Sequence, residues 1–196
     1  MLLFKQSCCP MPRLKKILLT LLLLTVLAAV FRGPLYRTLV DYESVGASTN
    51  YTVKDEKLAD LIASKVNRRT DLGITEAIKL SLSITSSQLH FTADNNDVDP
   101  NKLVTSKATH CVGYAAFFAA TCKYVLSQQK LASSWTAEPQ EGQLYFLGTN
   151  LHQYFHSAFL KDHDFVAIEN HVTGEVLAVD PTIKDYFHID FIRLRP

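Results

Sequence analysis

The run at 17–31 reads Ile-Leu-Leu-Thr-Leu-Leu-Leu-Leu-Thr-Val-Leu-Ala-Ala-Val-Phe, fifteen residues without a charge. It fits a signal sequence or a membrane anchor before it fits a globular core. As a helix it spans about 22 Å, short of the roughly 30 Å hydrocarbon layer, and Leu14, Leu35 and Tyr36 extend it. Lys5, Arg13, Lys15 and Lys16 precede the run. Ala28 and Ala29 lie inside it, and Arg32-Gly33-Pro34 follows without a small-x-small cleavage site. The expectation is an uncleaved single-pass anchor, with a cytoplasmic segment at 1–16, the membrane helix at 17–36, a linker at 37–53 and a domain at 54–196. The basic flank places that domain on the extracytoplasmic side, periplasmic or extracellular.

A chain of 196 residues with 47% hydrophobic content holds one domain and an appendage, with no room for a second full domain. Its net charge of +1 argues against nucleic acid as a partner. Cys8 and Cys9 precede the apolar run, and Cys111 and Cys122 belong to the domain. On one helix the latter two stand about 16 Å apart, too far for a disulfide.

Apolar spacing predicts helices at 54–69 and 74–84. The region 86–107, with Asp94-Asn95-Asn96-Asp97-Val98-Asp99-Pro100, reads as a surface loop lacking the glycine and terminal glutamate of a calcium-binding loop. Gln88 is a candidate amide donor to an oxyanion. Thr109 is the expected N-cap of a helix running to about Gln129, with His110 and Cys111 in the first turn, where the backbone amides favour an anion such as a thiolate. Cys122, in the buried stripe of that helix, reads as packing.

Strands are expected at 131–136 and 143–147, and Thr149-Asn150 as the cap of a short helix over 151–156. A further strand starts at His163, turns at 170–174 and returns over 176–179 to Asp180, so that His163 and Asp180 fall together at adjacent strand ends. The tail at 183–196 alternates enough to be a closing edge strand. The class is α+β, helices packed on a small antiparallel sheet.

Three stretches in this order, His110-Cys111-Val112-Gly113-Tyr114-Ala115, then His163-Asp164-Phe165-Val166, then Val179-Asp180-Pro181-Thr182, resemble the transglutaminase-like superfamily, whose core is related to papain-like cysteine proteases, here of the membrane-anchored bacterial type. Phe165 stands where that superfamily commonly has Trp. The resemblance implies Cys111 as nucleophile, His163 as base and Asp180 as the residue orienting the imidazole. The implied activity is acyl transfer on a protein, peptide or cell-wall amide, without a cofactor. A catalytically inactive binding module tethered to the membrane is the alternative. His152 and His156, with His163 or His171, give a third reading as a metal site, but lack the glutamate of the H-E-x-x-H pattern, and no metal is expected.

Overall fold

The computed structural model describes residues 13–67, 69, 71–94, 96–155 and 161–195. Helix α1 (Arg13–Val30) has no buried residue. It breaks at Phe31 into α2 (Arg32–Leu39), and the two helices are bent by 79°. Pro34, in the first turn of α2, lacks the N–H that a continuous helix would use and fits only near a helix start. The expected single helix at 17–36 is therefore two. No single described helix is long and apolar enough to cross a membrane, and the bent pair passes that test jointly, by length and composition.

The expected linker is a second correction. Strand β1 (Val40–Ala47) occupies its centre and pairs antiparallel with β4 (Trp135–Phe146) from Val40↔Phe146 to Ala47↔Gln140, so the folded body begins at Val40 and not at residue 54. The polar Asp41, Glu43 and Ser44 conceal the strand in the sequence, while Val40 and Tyr42 are its buried residues.

Helix α3 (Glu56–Val66) starts on Asp55, whose carboxylate accepts from the Leu58 N–H. Helix α4 (Ile74–Gln88) runs a turn beyond its expected end. The supposed loop at 86–107 holds strand β2 (His90–Phe91) and helix α5 (Pro100–Ser106), started by Asp99 at the N-cap and Pro100 at the first position. Strand β3 (Ala108–Thr109) then pairs in parallel with β2.

Helix α6 (Cys111–Gln128) is the central element and packs on α4, β4 and β6 (His163–Asn170). Its small residues let it approach closely. A Cβ on Gly113 would overlap the Thr109 side chain. Beyond α6, the two strands expected at 131–136 and 143–147 are one, β4, which continues through Pro139 and pairs with β1 on one side and β6 on the other. Thr149-Asn150 forms β5, paired with β4, before a single 3-10 turn at His152–Tyr154. The expected helix over 151–156 is thus reduced to that turn, and His156 lies outside the described residues.

The sheet order is β1-β4-β6-β7, with β7 at Val176–Val179, as the alternation around Phe165 and Val179 predicts. Helix α7 (Pro181–Phe187) takes the first part of the tail. The remainder joins the two outer strands. Ile192 donates its N–H to the Ala178 carbonyl of β7, and Tyr42 of β1 donates to Arg193 and accepts from Arg195.

Candidate active site

Cys111 is the first residue of α6 and is buried at 8% exposure. The N-cap is His110, with extended backbone and no side-chain capping bond, so the expected cap on Thr109 is corrected. Thr109 belongs to β3 and donates its hydroxyl to the Asp97 carbonyl at 2.9 Å. His110, between Thr109 and Cys111, holds the N-cap position. The helix therefore begins at the cysteine itself, whose neighbouring N–H groups have no intrahelical acceptors.

His163 opens β6 and Asp180 follows β7, as N-cap of α7. His163 Nε2 lies 2.7 Å from Asp180 Oδ2, and the imidazole lines one cavity with the Cys111 thiol, close enough to interact with it. With Nε2 on the carboxylate, Nδ1 is the ring nitrogen left to meet the sulfur. The structure thus gathers Cys111, His163 and Asp180 in one place. Asp164, the residue after the histidine, points elsewhere, since strand neighbours face opposite sides, and accepts from the Ser48 hydroxyl at 2.6 Å.

Asp180 is fully buried and fully occupied. Oδ1 accepts from the Thr182 and Ile183 N–H groups at 2.9 and 3.1 Å. Oδ2 accepts from His163 and from the Tyr42 hydroxyl, the latter at 2.8 Å. Burial opposes charge on both members of the pair. Their attraction outweighs it, holding the His163 imidazolium well above its ordinary range and the Asp180 carboxyl below its own. Helix α7 is braced against α6 through the Tyr114 hydroxyl, which donates to Asp185 at 2.7 Å. Asp180 and Cys111 therefore stand at the starts of two helices tied to each other.

A cavity of about 260 Å³ opens beside Cys111 and His163. Phe91, Leu144, Leu151 and Phe155 make most of its wall apolar, with His152, Asp162 and Thr182 as the polar lining. Gln88 is not among these residues. Its amide nitrogen donates to the Val104 carbonyl at 2.6 Å, joining α4 to α5, and the structure does not bring it to the site. Cys122 is buried mid-helix, its thiol pushed up to about 12 by burial, with Ser81 as a polar neighbour. Among the described residues no group of three or more His, Cys, Asp and Glu side chains is placed to hold a metal.

Sequence reasoning missed Tyr42. It lies inside the stretch taken for a linker, and its only signal was a buried aromatic alternating with polar neighbours. Comparisons with protein-family models, curated proteins and solved structures give no match to this chain.

Proposed function

We propose that the chain is a thiol acyl-transfer enzyme acting on amide bonds, with Cys111 as nucleophile, His163 as its base and acid, and Asp180 as the residue that orients the imidazole. The observation that carries this reading is His163 bonded to a buried carboxylate and set beside the thiol of a helix-opening cysteine on the wall of an apolar cavity. The papain-like core of the transglutaminase-like superfamily is the fold this reading implies.

In the resting pair the thiol proton resides on His163, stabilised by Asp180. The Cys111 sulfur attacks the carbonyl carbon of the amide, and the negative oxygen is received by backbone N–H groups of the first turn of α6. His163 passes its proton to the departing nitrogen as the C–N bond breaks, leaving a thioester. Water or an amine then attacks that carbonyl and gives up its proton to His163. The C–S bond breaks, and the thiolate returns. Water gives hydrolysis and an amine gives transamidation. The wall of Phe91, Leu144, Leu151 and Phe155 selects acyl groups with an apolar side chain.

The exposed apolar face of α1 supports a membrane tether, since that much greasy surface is stable in lipid and not in water. The test is labelling of the full-length chain in detergent micelles with acyl-mimicking electrophiles carrying Phe, Leu, Lys or Asp side chains, followed by mass mapping. Adducts on Cys111, formed fastest with Phe or Leu, are expected. Absence of a Cys111 adduct, or labelling that persists undiminished in His163→Ala, contradicts the enzyme reading and favours a binding module.

A further inference from the structure

Two phenols stand behind the carboxylate. Tyr42 gives its hydroxyl proton to Asp180 Oδ2 at 2.8 Å. A phenol has one proton. The 2.6 Å contact between the Tyr36 and Tyr42 hydroxyls is therefore donated by Tyr36, and the bonds run Tyr36 to Tyr42 to Asp180, with His163 reaching the same Oδ2 from the other side. Such a chain is polarised in one sense, each donation strengthening the next. Both phenols remain protonated at working pH, because burial and the nearby Asp180 charge disfavour the phenolate.

Tyr36 belongs to α2, the helix at the foot of the apolar segment. That helix is fastened to the body by Arg32, which donates to the His188 carbonyl, and by Arg37, which donates to the Phe191 carbonyl. The segment these arginines hold continues to Arg193 and Arg195, which are the backbone partners of Tyr42 itself.

We propose that Tyr42 is a positioning residue for the Cys111 site, that Tyr36 acts through it, and that α2 is thereby part of the machinery that sets His163. The proposal rests on the acyl-transfer reading. Tyr42 shares Oδ2 with the imidazole, so its bond fixes where that oxygen points and tempers the pull of the carboxylate on the His163 proton. Removing the hydroxyl takes away one of the two bonds that set Oδ2 and leaves its charge for His163 alone. The groups facing His163 are Cys111 from α6, Asp180 from the start of α7 and Tyr42 from β1, with Asp162 and His152 across the cavity and the Asp164 charge on the far side of β6. Of these, Tyr42 alone can be stripped of its polar atom while keeping its ring, which packs edge-on to Phe165 with centroids 5.5 Å apart.

The experiment is the rate of iodoacetamide alkylation at Cys111 between about pH 5 and 10, on the full-length chain in micelles, for wild type, Tyr42→Phe, Tyr36→Phe and the double variant. Tyr42→Phe is expected to slow alkylation about tenfold, the size of one bond to a charged group, and to move the His163 limb of the profile to higher pH. Tyr36→Phe, on a half-buried ring whose loss of one oxygen spares the fold, is expected to do the same about two- to threefold, and to add nothing in the Tyr42→Phe background. A Tyr42→Phe profile that superposes on wild type, with reactive Cys111 in both, overturns the positioning role by itself. Additive effects of the two substitutions overturn the action of Tyr36 through Tyr42. A wild-type Cys111 no more reactive than Cys122 brings down the acyl-transfer reading, and this one with it.

Discussion

Cys111 and Cys122 lie on the same helix, eleven residues apart, and the structure gives them opposite chemistry. The first sits at the helix opening, beside an imidazole held in its cationic form, and borders a cavity. The second has no exposed surface, a thiol raised to about 12 by burial, and the Ser81 hydroxyl as its polar neighbour. Both are largely enclosed, at 8% and 0% exposure, so enclosure alone does not account for the contrast. The difference is what the rest of the chain brings to each: β6 and α7 deliver an imidazole and a carboxylate to the first turn, whereas the middle of the helix meets close-packed side chains. A thiol becomes a reagent through its neighbours.

The largest expected break in this contrast is Asp180→Asn. Asn still caps α7, so the fold is kept, but an amide presents the wrong group to His163 and removes the charge that holds its proton. Acyl transfer should fall about 100-fold or more, with the alkylation rates of the two cysteines drawn together. Steady-state kinetics alongside mass mapping of both thiols checks this.

Gly113→Ala attacks the same contrast through the backbone. The added methyl overlaps Thr109, so α6 must shift from β3 and carry Cys111 away from His163. A loss of about 1–3 kcal/mol in unfolding free energy is expected, together with slower labelling of Cys111 and unchanged protection of Cys122. Chemical denaturation and thiol mapping on one preparation would read both.

The smallest effect is in the pH dependence of stability. Asp180 is held below its ordinary 3.8, so its contribution is present above that pH and is lost as pH falls through the folded value. His163 is held well above 6.5, so its contribution is complete below pH 6.5 and is lost as pH rises through the folded value. Thermal unfolding should therefore peak between about pH 4 and 6.5. His163→Gln should flatten the alkaline decline, and a wild-type midpoint that climbs steadily above pH 6.5 would show that the ion pair contributes nothing.

Much of the site could be read from sequence because the elements carrying it obey simple periods. Phe165-Val166-Ala167-Ile168 and Val176-Leu177-Ala178-Val179 are continuous strand formers around a turn, and their pairing fixes where His163 and Asp180 fall. Strand β4 was harder, since Pro139 and the acidic Glu138 and Glu141 interrupt its apolar pattern, although the strand passes through them. Strand β1 was hidden by Asp41 and Glu43 on its outer face. With it went Tyr42, whose contact with Asp180 joins residues 138 apart and has no local trace. The start of α6 is displaced by one residue because Thr109 has a capping side chain, whereas the residue at the N-cap is His110, which makes no side-chain capping bond. Gln88 had suitable chemistry, but the sequence gives no sign that α5 would take up its amide.

The central claim, that the first turn of α6 is a reaction site and its fourth turn is packing, is tested most directly by timed iodoacetamide labelling of the native chain near neutral pH with site-resolved mass spectrometry. The account predicts alkylation of Cys111 at least 100-fold faster than Cys122, with the advantage largely lost in His163→Ala. Equal rates at the two thiols in the folded wild type, or an undiminished advantage without His163, would contradict it.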